Sequence, residues 1–232
     1  KRFCTIAVLL ISGIFLTPAT VLAANPDEIT VAIDRGNPPY ALEGIDGKPR
    51  GLLVDIWNLW GETTGIRVKF IQSSWADTLK NLREGKTDVH MGMFKNEQRA
   101  EWIDFAEPYH EIKSALYFLT NKDRDGILPE LGNARVGVVA GTFQEFYLRS
   151  QYPNAKVTGF EDNEQSIRAL ALGKIDYATG VPPTFEALLE QLGFKREVTR
   201  GADELISNTL HVGVKKENGT LLRRIEEGFS AI

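Results

Sequence analysis

"IRVKFIQSSWADTLKNLREGKTDVHMGMF" runs from Ile66 to Phe94 and reads as strand, helix, strand. Residues 66–72 alternate and are rich in β-branched and aromatic side chains, the pattern of a strand. Ser73 and Ser74 offer a helix cap. Trp75, Leu79 and Leu82 then fall on one helical face, and Gly85 is placed to end the helix. Residues 88–94 return to an apolar strand. A strand, a helix of this length and a second strand form a parallel crossover unit, which points to an α/β sheet.

The same alternation extends in both directions. Upstream, "ITVAID" (29–34) is a strand, 35–51 is a Gly- and Pro-rich loop or hairpin, and 52–65 is a helix. That helix has Leu52, Ile56, Leu59 and Trp60 at helical spacing and is stopped by Gly65. Downstream, "SALYFLT" (114–120) is a strand, and charged and turn residues interrupt the pattern over 121–133. Strands are then expected at 134–141, 155–160 and 175–181, with helices at 142–152, 161–174 and 182–193. A late strand (210–216) precedes a helix from 218 onward, with Leu221, Leu222, Ile225 and Phe229 on one face. Two α/β units of similar design result. Ligands of open α/β sheets bind beyond the carboxyl ends of the strands, so two such units facing each other make a cleft.

Composition fits a globular chain. Of 232 residues, 43% are hydrophobic and 25% charged, and the net charge is −4. No basic patch alternates with aromatics, which argues against a nucleic-acid partner. Lys1 and Arg2 precede an apolar run, then Pro18 and small residues through Ala24, the layout of a secretory signal peptide over 1–24. Its loss would remove the sole cysteine, Cys4, and two positive charges. His90, His110 and His211 show no ligand-like spacing, and no metal or cofactor is expected.

Several segments together resemble the bacterial extracellular solute-binding proteins of family 3. They are "PPYALEGIDGKPRGLLVDI" (38–56), "DTLKNLREGKTDVHMGM" (77–93), "RAEWIDFAEPY" (99–109), "RVGVVAGT" (135–142) and "ALALGKIDYA" (169–178). The resemblance covers about 28–232. It implies an α/β, type II periplasmic-binding-protein fold, a Venus flytrap of two α/β lobes with a two-crossing hinge. Lobe 1 would comprise 27–118 plus 207–232, and lobe 2 would comprise 119–206. "WNLW" (57–60), "GMFKNEQRAEWIDF" (92–105) and the aromatic after "GT" are similar to flytrap domains of sensor kinases and diguanylate cyclases. Such receptors, and family members generally, continue beyond the point where this chain stops.

The resemblance also implies a site. Arg99 matches the arginine that pairs with a ligand carboxylate, a task suited to its planar fork of donors. Its ordinary alternative is a solvated arginine beside Glu97 or Glu101. Tyr40 matches an aromatic over the ligand; its ordinary alternative is a loop tyrosine packing on its own lobe. Thr142 matches a lobe-2 residue at a helix N-terminus, where a plain N-cap needs the same residue type. Gly92 heads the arginine-bearing stretch. Of four tryptophans, Trp57, Trp60 and Trp102 read as core, and Trp75, near a strand end, is the one kept for the cleft. Three positions depart from the family pattern. Phe94 replaces a hydroxyl residue, Phe143 replaces a second hydroxyl, and Val181 replaces an acid that would receive an ammonium. A buried ammonium without an anion costs several kcal/mol, so the sequence favours an anionic ligand with an apolar body over an ordinary α-amino acid.

The expected role is therefore binding rather than catalysis. A monomeric periplasmic protein would deliver a small carboxylate-bearing solute, amino-acid-like or an organic acid, to an ABC permease. The alternative is the sensing domain of a membrane receptor. Cyclohexadienyl dehydratases share the implied fold, but Val181 stands where their proton donor would be.

Overall fold

The computed structural model of the chain describes residues 28–121 and 131–232. The expected leader over 1–24, with Cys4, lies outside them.

Strand β1 (Glu28–Asp34) pairs in parallel with β5 (Arg67–Ser73) on one side and with β6 (Val89–Phe94) on the other. Helix α1 (Leu52–Thr64) carries the chain from a small antiparallel meander into β5. The meander consists of β2 (Gly36–Asn37), β3 (Ala41–Glu43) and β4 (Pro49–Arg50). Helix α2 (Trp75–Glu84) links β5 to β6; the Ser74 hydroxyl accepts from the Asp77 amide, and Gly85 closes it in the left-handed conformation. The capped crossover read from the sequence is thus present.

The second unit repeats the scheme. Strands β8 (Arg135–Val139), β9 (Lys156–Phe160) and β10 (Tyr177–Gly180) lie in the order β10-β8-β9. Both neighbouring pairs are parallel. Helices α4 (Phe143–Gln151), α5 (Asn163–Ala171) and α6 (Pro182–Leu192) connect and cover them. Asp176 ties the start of β10 to β8: its carboxylate accepts from the Arg135 amide and from Nε and Nη2 of its side chain.

Two long strands join the units. β7 (Ile103–Leu119) and β11 (Val198–Lys215) run antiparallel at the centre of one eight-stranded sheet, β5-β1-β6-β11-β7-β10-β8-β9. Both were expected to be far shorter. Charged and polar residues on their exposed faces break the apolar runs that mark a strand in sequence. A one-turn helix, α3 (Glu97–Ala100), between β6 and β7 was also not anticipated. Packing partners change along the long strands. Ile112 joins the lobe-1 core, whereas Ala115 and Tyr117 join that of lobe 2. On β11, Leu205 and Ile206 pack in lobe 2, and Leu210, Val212 and Val214 pack in lobe 1. The expected division at 118/119 falls beyond this change on β7, while that at 206/207 falls within it on β11.

Helix α7 (Gly219–Phe229) returns to lobe 1. Its Ile225 carbonyl accepts from Trp60 Nε1 at 3.2 Å, and Phe229 lies edge-on to Trp57 and stacked on Tyr109. This contact corrects the face read for α1: Leu53, Val54, Trp57 and Trp60 are buried, and Leu52 and Leu59 are exposed. The stripe turns because two tryptophans must face α7. Gly228 lets the helices approach, since a Cβ there would lie 2.2 Å from Trp60 Nε1. Gly228→Ala should therefore lower the thermal midpoint through about 1–3 kcal/mol of overpacking, as checked by circular-dichroism melting, whereas Gly219→Ala, with open space around it, should not.

Candidate functional site

The carboxyl ends of β1, β6, β8 and β10 converge on a cavity of about 90 Å³ between the lobes. Lobe 1 contributes Asp34, Asn37, Leu53, Trp75, Met91, Gly92, Met93, Phe94, Arg99, Ile112 and Leu210. Lobe 2 contributes Val138, Val139, Thr142, Phe143, Gln144, Asn163, Thr179, Gly180 and Val181. Seven of the eight residues singled out in the sequence line this space. Tyr40 does not: it is buried in the lobe-1 core, 6.2 Å from the His110 ring.

Arg99 is held at the seam. The Asn96 side chain caps α3 by accepting from the Arg99 amide, which fixes where the side chain departs. Arg99 is 6% exposed. Nη1 donates to the Phe94 carbonyl at 2.6 Å, and Nη2 donates across the cleft to the Gly141 carbonyl at 2.9 Å. The Trp75 ring lies 5.5 Å from the guanidinium carbon, and Trp75 Nε1 donates to the same Gly141 carbonyl at 3.1 Å. Among the described residues no acid lies within salt-bridge distance of Arg99, so neither Glu97 nor Glu101 pairs with it. Desolvation lowers its pKa to about 10, and it remains a cation.

A buried imidazole shapes this wall. His90 Nδ1 accepts from the Gly92 amide, which leaves Nε2 as the protonated nitrogen, donating to Thr78 Oγ1. Thr78 donates in turn to the Trp75 carbonyl at 2.6 Å. The His90 and Trp75 rings meet edge to face at 5.2 Å. Burial, and secondarily the Arg99 charge, push the His90 pKa down to about 3. A neutral ring beside Arg99 thus holds Trp75 in place. Gly92 is required by its own lobe, since a Cβ would lie 2.0 Å from the Tyr109 hydroxyl.

Phe94 and Phe143 face each other across the cleft, edge to face at 5.7 Å. Val181 and Phe143 pack against the lobe-1 core. The Thr142 hydroxyl serves as the cap of α4, accepting from the Glu145 amide and donating to the Val139 carbonyl. The nearby Gly141 amide donates to the Glu145 carboxylate.

Asp34 was missed in the sequence. It ends β1, is largely buried and faces the cavity. Its Oδ1 accepts from the Gly36 amide at 3.1 Å. Asn163 Nδ2 donates to the Gly36 carbonyl, and Thr184 Oγ1 donates to Asn37 Oδ1, so both lobes meet around this corner. Desolvation, with Asp162 as a smaller contributor, raises the Asp34 pKa to about 6. A last acid in a strand looks like an ordinary strand end; only its position beside the opposite lobe marks it.

The sequence matches the description of bacterial extracellular solute-binding proteins, family 3, over residues 29–232. The chain belongs to that family. This solute-binding protein is 22% identical over 227 residues to the ABC transporter arginine-binding protein 1 of Escherichia coli, covering 96% of this chain and 92% of the relative. It is 26% identical over 214 residues to a probable histidine-binding protein of Campylobacter jejuni, covering 87% and 83%. A histidine kinase sensor domain with similarity to periplasmic binding proteins superposes with a TM-score of 0.81 at 25% identity, covering 88% of this chain and 89% of that one. The architecture is the type II periplasmic-binding-protein, or Venus-flytrap, fold. Among the described residues no helix is long and apolar enough to cross a membrane.

The two perturbed buried groups give opposite pH signatures. Asp34 has a folded pKa raised above its unfolded 3.8, so its stabilising contribution is complete below that value and lost as pH rises through about 6. His90 has a lowered value, so its contribution is present above 6.5 and lost as pH falls toward about 3. Asp34→Asn should raise the thermal midpoint at pH 7.5, by at most about 3 kcal/mol of stability, with the gain vanishing at pH 4. Melting curves at the two pH values check this.

Proposed function

We propose that this protein closes its lobes over a small carboxylate-bearing solute in the periplasm and presents it to an ABC-type importer. The solute would be amino-acid-like or an organic acid. The supporting observation is the Arg99 guanidinium, buried between the lobes and hydrogen-bonded, among the described residues, to carbonyls only. A cation held this way favours an anion that can share its remaining N–H groups. The fork geometry suits a carboxylate, and the Trp75 ring lies beside the guanidinium.

The solute would touch both lobes, so its binding energy would favour the closed arrangement over an open one. Phe94, Phe143 and Val181 would cover its apolar part. Asp34 would lie at the far corner, where it can accept from an ammonium or, below pH 6, donate a hydrogen bond. That carboxyl modifies the inference drawn from Val181: the lobe-2 acid is missing, but the cavity is not without an acid. Amino-acid-like ligands therefore stay within the proposal.

The likeness to a sensor-kinase domain favours a second reading, in which closure is passed to a membrane-linked output domain. Both readings use the same binding step. No acid stands at position 181 to act as a proton donor, which supports binding rather than dehydration.

Thermal-shift screening would test the ligand class, using monocarboxylic acids, their amides and the standard amino acids. Carboxylates should raise the midpoint and the matching amides should not. Arg99→Ala should weaken the best carboxylate at least 100-fold in calorimetry. Equal stabilisation by acid and amide would contradict the proposal.

A further inference from the structure

We infer that Thr179 is a specificity-determining residue. Its hydroxyl would read an uncharged hydrogen-bonding substituent, such as a 2-hydroxyl, on the solute whose carboxylate Arg99 holds. The inference rests on the proposed role of Arg99.

Thr179 is the third residue of β10, near the strand end that faces the cleft. It lines the cavity, is 2% exposed, and its Oγ1 has no hydrogen-bond partner among the described residues. Neighbouring polar side chains on the wall have partners. Thr142 bonds the Val139 carbonyl, Gln144 donates to Ser114 Oγ at 2.9 Å, and Asn37 accepts from Thr184 at 2.6 Å. Asn163 donates to the Gly36 carbonyl. Thr179 alone among these has an uncommitted hydroxyl.

Packing does not require that hydroxyl. Valine has nearly the same shape and an equal preference for strands. A buried hydroxyl left unpaired carries its full desolvation penalty. The oxygen is useful in this wall if the solute supplies the missing partner. Its position is fixed, because β10 is paired on both sides and the Phe185 ring lies directly beneath Gly180, 1.9 Å from where a Cβ would be.

The chemistry follows from what the group is. A hydroxyl both donates and accepts, and carries no charge. It can match a hydroxyl or carbonyl substituent but cannot neutralise a buried ammonium. Two residues further on, where the family pattern has an acid, stands Val181. The lobe-2 recognition group has thus moved from a charged position to a neutral one, and this favours a 2-hydroxy carboxylate over an unsubstituted acid. In a cavity of about 90 Å³ a solute of a few atoms that reaches Arg99 also lies close to the other walls.

The test uses lactate and propionate, which differ by one hydroxyl, with the wild-type protein, Thr179→Val and Thr179→Ser. Calorimetry should show lactate binding the wild type at least tenfold more tightly than propionate. Thr179→Val should bring lactate down to the propionate level, and Thr179→Ser should keep the preference. Without solute, Thr179→Val should melt at the wild-type temperature or above. Equal affinities for the wild type, a lactate preference that survives in Thr179→Val, or a clear drop in its solute-free midpoint would each overturn the inference. If propionate binds through Arg99 and Thr179→Val changes nothing, only this inference falls. If neither acid binds, the carboxylate reading falls with it.

Discussion

A guanidinium buried between two lobes, with carbonyls as its only hydrogen-bond partners among the described residues, constrains the rest of this molecule. Arg99 donates to the Phe94 carbonyl on one side and to the Gly141 carbonyl on the other. A desolvated charge is tolerated only where its surroundings are arranged around it. Here they are: Asn96 fixes the helix that bears it, the Trp75 ring lies 5.5 Å from its central carbon, and a neutral His90 stands where a second cation would repel. The chain Gly92, His90, Thr78, Trp75 carries that arrangement from β6 into α2. Phe94, so close to Arg99 in sequence, serves twice. Its carbonyl takes one guanidinium nitrogen, and its ring closes the cleft against Phe143.

The fold delivers these groups by a simple rule. Parallel strands end at the cleft, and helices begin there, so strand ends and helix caps supply the wall. β1 gives Asp34, β6 gives Gly92 through Phe94, the α4 cap gives Thr142, and β10 gives Thr179. The two long central strands hold the halves in one sheet while allowing their packing partners to change. The last helix returns to lobe 1 because Trp57, Trp60 and Tyr109 offer Phe229 a surface.

Much of this was legible in the sequence, and the exceptions have physical causes. The crossover at 66–94 announced itself through a serine cap, a helical stripe and a glycine stop, all local signals. The same holds for β8 to α6. The central strands β7 and β11 were read as short because strand signals are local, whereas their pairing is with each other across about a hundred residues. The α1 face was misassigned because Leu52 and Leu59 are as apolar as the residues that α7 covers. In the site, Arg99 and the aromatic pair could be singled out from the motif around them. Asp34 and Thr179 could not, since an acid at a strand end and a threonine within a strand are unremarkable until the opposite lobe is brought against them. Tyr40, singled out by its match to a family aromatic, turns inward to the core instead.

The central claim is that the Arg99 guanidinium receives the solute's carboxylate. The most direct measurement is a crystal structure of the complex with the carboxylate that raises the melting temperature most. The carboxylate is expected within hydrogen-bond distance of Arg99, near Trp75 and between Phe94 and Phe143. A bound solute whose carboxylate lies elsewhere, with Arg99 still bonded only to the Phe94 and Gly141 carbonyls, would contradict it.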